Sequence, residues 1–170
     1  MYNTLGMPHS QKMVELVNTT EIEMFIPVMQ DIADDFGDQF LLAMLHWCGI
    51  GQRPTDLDLW KIFLVQAQGD TVGVAGLYRQ LGMSQTVSWV GWFAIRPRFR
   101  RQGFGTHTMY ALYDLAQGIG SQELWVYTGK LDHIAVSFYK SLSFEVLGPA
   151  YEWARGRTME DTDIVLRRTL

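Results

Sequence analysis

Four arginines, Arg96, Arg98, Arg100 and Arg101, crowd into six positions and run directly into Gln102-Gly103-Phe104-Gly105-Thr106. The chain around them is acidic, with 14 Lys and Arg against 18 Asp and Glu. The chemistry such a stretch can do is the holding of an anion. A helix leaves its first backbone N–H groups without acceptors and carries partial positive charge at that end. Gly103 and Gly105 remove the Cβ atoms that would keep a ligand off those groups, and Arg100 and Arg101 add full charges beside them. This requires a helix starting at the glycines, and the pattern supplies one: Phe104, Thr108, Leu112, Leu115 and Ile119 recur at three- to four-residue spacing.

Spacing excludes two phosphate-binding loops. A Walker loop needs G-x-x-x-x-G-K-[ST], and no lysine follows these glycines; a dinucleotide fingerprint needs a third glycine where Thr108 stands. What remains is R-x-x-G-x-G, made by Arg100, Gly103 and Gly105, which taken alone reads equally as an ordinary turn with solvated arginines.

The strand feeding this loop is QTVSWVGWFAI. Alternation places Val87, Trp89, Phe93 and Ile95 on one face, interrupted at Gly91, where a bulge or a close backbone approach is the usual cause. Upstream, KMVELVNTT reads as a first strand. Thr20 with Glu23 three residues on is a capping-box pattern, and it opens a helix with Ile22, Phe25, Ile26 and Met29 on one side. DQFLLAMLHWCG reads as a second helix ending near Gly49, and GIGQRPTD as a loop. WKIFLVQAQ and TVGVAGLYRQ alternate about a turn at Gly69-Asp70, which predicts a hairpin. Downstream, QELWVYTG is a strand, and Asp132 stands at an N-cap position before Ala135, Phe138 and Leu142 on one helical stripe. FEVLGPAYEWA and DTDIVLRRTL supply two last strands. The order β-α-α-β-β-β-α-β-α-β-β predicts a mixed α/β sheet, antiparallel early, with a crossover helix after Ile95.

At 170 residues, 48% hydrophobic and 19% charged, the chain has the size and composition of one folded domain. That domain is expected to span residues 1–170, with residues 1–11 as a flexible tail. A formal charge of −4 argues against a general nucleic-acid binder, which normally shows a basic face. Cys48 is the only cysteine, which excludes an internal disulfide and disfavours a cysteine-based metal site, so a reducing, cytoplasmic setting is expected. The start lacks the apolar core of a signal peptide, and the longest apolar run, WVGWFAI, is too short to span a bilayer. No metal, membrane or nucleic-acid partner is expected, and a homodimer stays open.

WFAIRPRFRRQGFG, an apolar strand and an Arg-Pro pair leading into R-x-x-G-x-G, resembles the acetyl-CoA motif of the GNAT superfamily of acyl-CoA-dependent N-acyltransferases. DHIAVSFYKSLSFEVLG resembles that family's second motif through the spacing of Asp132, Ala135, Tyr139 and Phe144. The resemblance covers nearly the whole chain. It implies a central, splayed, mostly antiparallel sheet flanked by helices, and acetyl-CoA as co-substrate. By the family pattern the CoA diphosphate would lie on the N–H groups of Arg101, Gln102, Gly103, Phe104, Gly105 and Thr106, beside Arg100. The pantetheine arm would pair with the backbone of Phe93 and Ile95 like an added strand. The Phe93 N–H would stabilise the thioester oxyanion, and Tyr139 would protonate the departing thiolate.

The chain departs from the pattern at three places. Asp132 replaces the usual Asn of the cofactor contact, and it serves equally well as a purely structural cap. Ser143 replaces a Gly before Phe144, where a left-handed backbone would cost a non-glycine residue about 1 kcal/mol. Trp89 stands where some members carry a glutamate base. Other base candidates are His46, Asp31, Asp34 and Asp35 on the early helices, or water; His107 and His133 read as surface or capping residues. Trp89, Trp92, Trp125, Tyr151 and Trp153 could wall an amine site or serve as core. The activity implied is transfer of acetyl from acetyl-CoA to a primary amine of a small molecule or peptide, in a direct ternary complex. The alternatives are a non-catalytic acyl-CoA sensor and a nucleotide-phosphate binder.

Overall fold

The computed structural model describes residues 13–153 and 163–170. The tail expected over residues 1–11 lies outside them, as do the outer ends of the last two expected strands. In chain order the elements are β1 (Glu15–Val17), α1 (Ile22–Phe36), α2 (Asp38–Trp47), β2 (Leu57–Ala67), β3 (Asp70–Gln80), β4 (Val87–Ile95), α3 (Phe104–Gly118), β5 (Glu123–Gly129), α4 (His133–Ser141), β6 (Glu145–Pro149) and β7 (Asp163–Thr169). Short 3₁₀ turns follow β4 at Pro97–Phe99 and β6 at Ala150–Glu152. The strands form one sheet in the order β1-β2-β3-β4-β5-β7-β6. Every neighbouring pair is antiparallel except β4 with β5. The mixed, mostly antiparallel α/β order read from the sequence is therefore the order observed. Among the described residues no helix is long and apolar enough to cross a membrane.

The apolar residues divide between the two faces. Helices α3 and α4 cover one face, where Met109, Leu112, Tyr139 and Leu142 pack on Val72, Leu77, Val90, Leu124 and Val126. Helices α1 and α2 cover part of the other, with Phe25, Ile32, Phe40 and Met44 on Ile62, Leu64, Val74 and Ala94. Beside them on that second face, Tyr78, Trp89, Trp125 and Val165 form a further cluster, with Trp60 touching both groups.

Besides FEVLGPAYEWA, expected as one strand but leaving it at Pro149 for the 3₁₀ turn over Ala150–Glu152, local details differ from expectation in four places. The Thr20–Glu23 capping box does not form: the N-cap of α1 is Glu21, whose side chain makes no cap bond, and Thr19 Oγ1 instead accepts the Glu21 N–H at 3.1 Å. The buried stripe of α1 is Phe25, Val28 and Ile32, with Ile26 42% exposed, because the helical period carries that position off the sheet. The hairpin turn is Gln68-Gly69, one residue earlier than expected. Both residues have positive φ (53° and 87°), as in the tight turns whose twist matches the flanking strands.

The fourth difference matters most. Val74 pairs with Ala94 and Gly76 with Gly91, so Trp92 and Phe93 together oppose Ala75 in a bulge, with Trp92 at φ 50°. One extra residue reverses the alternation beyond it. Val87 and Trp89 face the α1–α2 side with Trp92 and Ala94, whereas Val90, Phe93 and Ile95 face α3 and α4. The single face expected for Val87, Trp89, Phe93 and Ile95 is thus split. Gly91 itself is explained by a close approach: a Cβ there would meet the Tyr78 ring at 3.0 Å.

Candidate functional site

The site begins where two strands part. β4 and β5 pair only at Val87–Glu123, Ser88–Leu124 and Trp89–Trp125. That end is fastened by a buried hydrogen bond, Ser88 Oγ to Ser121 Oγ at 2.7 Å. Beyond Trp89 the bulge bends β4 away, while β5 stays paired with β7 as far as Gly129–Asp163. The wedge between them widens into a cleft of about 700 Å³, with Val90 and Val126 where it narrows and Arg100, Arg101, Gly105 and Asp132 among the residues at its walls.

Among the described residues no strand pairs with the edge of β4 along this wedge beyond Trp89. The Arg96 N–H donates to Val72 O at 2.9 Å, toward β3. Alternation then directs Ala94 to β3 as well and turns the main-chain groups of Phe93 and Ile95 toward the gap. The Ile95 carbonyl accepts Arg100 Nε at 2.8 Å. Past the 3₁₀ turn the chain enters α3 through Arg101 (φ 63°) and Gly103 (φ 84°), the second a conformation that favours glycine. Gly103 is the N-cap and no side chain caps the helix. Among the described residues the N–H groups of Arg101 through Thr106 meet no protein acceptor, and the first N–H to do so is His107, to Gly103 O at 3.1 Å. A Cβ at Gly105 would touch Phe138 at 3.5 Å, so the bare backbone is what keeps this wall of the cleft open.

The facing wall is α4. Asp132 is its N-cap as expected, Oδ1 accepting the Ala135 N–H at 2.9 Å. Phe138 stacks against Phe93, with ring centroids 5.7 Å apart and planes at 19°. Tyr139 is buried at 6% exposure, held between Phe93, Phe138 and Phe144, and it lines the cleft. Burial, then the Asp132 carboxylate and then Tyr113, raise its pKa well above the ordinary tyrosine value, so the phenol keeps its proton.

Of the residues singled out by sequence, Phe93, Ile95, Arg100, Arg101, Gly105, Asp132 and Tyr139 come together at the cleft. The Phe104 ring turns into the core, and Gln102 Nε2 donates to Arg98 O at 3.0 Å. The arginine cluster divides. Arg96 is buried and bonds Asp31 Oδ2 at 2.7 Å and Thr71 O at 2.8 Å, and Arg98 lies over the Phe99 ring at 4.7 Å. Asp31 is thereby engaged outside the cleft. His46 packs against Gly51, Asp34 is exposed, and the Asp35 side chain lies outside the described residues. Ser143 adopts the left-handed conformation (φ 63°) in spite of its Cβ.

Trp89, Trp125 and Trp153 pack on one another in the core, and Tyr151 is 59% exposed; of the five aromatic candidates only Trp92 lines the cleft. Its partner there, Phe36, carries no motif. Phe36 reaches the site because α1 ends above the bulge, and a helix end in sequence does not announce its tertiary neighbour. The cleft crosses the sheet: Tyr139, Phe138 and the loop lie on the α3–α4 side, Phe36 and Trp92 on the other.

Residues 27–144 match the family model described as the acetyltransferase (GNAT) family. No curated protein matches the chain by sequence. Solved structures of similar fold include a GNAT-family protein from Desulfovibrio desulfuricans, at TM-score 0.71 and 13% identity over 92% of this chain and 98% of that one. A Bacillus subtilis acetyltransferase in complex with CoA is similar at TM-score 0.60 and 16% identity, over 92% and 97% of the two chains. A GNAT-family acetyltransferase from Elizabethkingia anophelis with acetyl-CoA bound is similar at 0.60 and 15%, over 94% and 100%. At these identities the likeness is one of fold.

Proposed function

The chain belongs to the GNAT acetyltransferase family, and from that premise we propose that it moves an acetyl group from acetyl-CoA to a primary amine by direct attack. The observation that carries this is the uncapped start of α3, with its row of unpaired N–H groups, opening into the same cleft as the exposed edge of β4. The fit to CoA is chemical: main-chain donors with Arg100 and Arg101 beside them suit a diphosphate, and an open strand edge suits an amide-bearing arm. Two solved structures of the same fold hold CoA or acetyl-CoA.

Acetyl-CoA, when bound, supplies the acetyl group as an activated thioester. Arg101 through Thr106 hold the diphosphate through their N–H groups. The Phe93 N–H, turned to the gap, donates to the carbonyl oxygen as negative charge grows on it. The new N–C bond forms as the C–S bond breaks, Tyr139 gives its proton to the departing sulfur, and the amine's proton passes to water. Cys48 follows α2 and does not line the cleft, which supports transfer without a cysteine-bound acyl group. In this proposal residues 1–170 act as one domain in a reducing, cytoplasmic setting.

Release of free thiol from acetyl-CoA across a panel of amines tests it, with Tyr139→Phe alongside. The expected outcome is amine-dependent release that falls on the order of 100-fold or more in the variant, the usual contribution of a general acid. Tight acetyl-CoA binding with no turnover on any amine would make the chain an acyl-CoA sensor. Tighter binding of ATP or NAD than of CoA would make it a nucleotide binder.

A further inference from the structure

We infer that the acceptor is a primary amine joined by a short linker to an aromatic body, received in the corner between Trp92 and Phe36. This rests on the acetyl-transfer reading and specifies the acceptor of that same cleft.

The phosphate loop and Tyr139 occupy the α3–α4 side of the sheet, so an amine reaching the thioester has the α1–α2 side to enter from. On that side the cleft is walled by Phe36 and Trp92, with centroids 5.8 Å apart and planes at 78°. Phe40, almost wholly buried, backs both rings at 5.4 and 5.7 Å and holds them in place. Two rings nearly at right angles offer a flat guest one face to stack on and one edge to meet.

The backbone is arranged to put the indole there. Without the bulge, alternation would send Trp92 to the opposite face of the sheet. With it, Trp92 sits at φ 50°, a conformation bulky residues rarely adopt and one that marks functional sites when the surroundings enforce it. Polar groups of the cleft, including Tyr127 and Asp163, stand on the other wall, formed by β5 and β7. The Phe36–Trp92 wall is therefore wholly aromatic while the facing wall carries a carboxylate and hydroxyls, which matches a molecule with a flat apolar body and an amine head. A polyamine or aminosugar would leave its polar groups unpaired along the aromatic wall.

Steady-state thiol release with 2-phenylethylamine, n-hexylamine, spermidine, an aminoglycoside and a lysine peptide, at fixed acetyl-CoA, tests the inference. The expected result is the highest kcat/KM for 2-phenylethylamine. Trp92→Leu and Phe36→Leu should each lower that value on the order of tenfold, with the KM for acetyl-CoA unchanged. Phe36 ends a helix and is partly exposed, so its variant remains informative should Trp92→Leu misfold. Preference for spermidine, the aminoglycoside or the peptide overturns the aromatic acceptor while leaving acetyl transfer standing. So does a Phe36→Leu variant that keeps full activity on 2-phenylethylamine. Binding of acetyl-CoA without turnover of any amine overturns the acetyl-transfer reading and this inference together.

Discussion

Helices α3 and α4 open onto the same cleft, and their first turns are built in opposite ways. α4 caps itself, Asp132 Oδ1 taking the Ala135 N–H at 2.9 Å. α3 starts at Gly103 with no side-chain cap and leaves its donors bare. A capped start has satisfied one of its own donors and carries a negative charge, both of which disfavour an anion. An uncapped glycine start gives up only a few tenths of a kcal/mol of helix stability and presents its donors to a ligand. The two turns therefore differ although both flank one cavity: one anchors the helix that carries Tyr139, the other leaves its donors bare, as the proposed diphosphate contact requires.

Filling the bare turn should do the most damage. Gly105→Leu places a side chain against Phe138 where the cleft wall now ends. CoA affinity measured by calorimetry should fall about 100-fold, as expected when two charge-assisted hydrogen bonds of about 1.5 kcal/mol each are lost, with the circular dichroism spectrum retained. Native affinity in this variant would place the diphosphate elsewhere.

Giving α3 the charge that α4 carries is the next largest change. Gly103→Asp should weaken CoA about tenfold through one added like charge, and rising salt should narrow the gap to wild type. A gap that does not respond to salt would point to backbone strain instead.

The reverse experiment is milder. Asp132→Ala should cost about 1 kcal/mol of stability in urea unfolding while CoA affinity stays within about threefold. A large loss of CoA binding there would erase the contrast between the two turns and give Asp132 a cofactor contact.

The smallest effect concerns Tyr139. Its folded pKa is raised above the usual value of about 10 by burial, so below that pH both states hold the proton and the full stability is kept. Above it the unfolded chain loses the proton while the native one keeps it, and stability declines as pH rises. Tyr139→Phe should lose less stability than wild type between about pH 10 and 11, measured by thermal unfolding.

Much of this was legible because it is local. The start of α3, the Asp132 cap and the β-α-α-β-β-β-α-β-α-β-β order all follow from residues within a turn or two of one another. The capping box at Thr20 and Glu23 looked equally local and failed, because Thr19 offers the Glu21 N–H a competing oxygen and the helix begins one residue late. The faces of β4 depart from simple alternation for a different reason. A bulge is a relation between two strands, and only the partner's count, one Ala75 against Trp92 and Phe93, reveals it.

The elements, the glycine-opened helix start and the family resemblance can all be read along the chain, since periodicity and backbone chemistry act over a few residues. Tertiary structure decided the cleft: where β4 and β5 part, that Arg96 pairs with Asp31 across 65 positions, and that Trp92 meets Phe36. Those outcomes depend on strand register and on how helices settle over the sheet. They are sums over contacts between distant residues, in which one inserted residue reverses every side chain that follows.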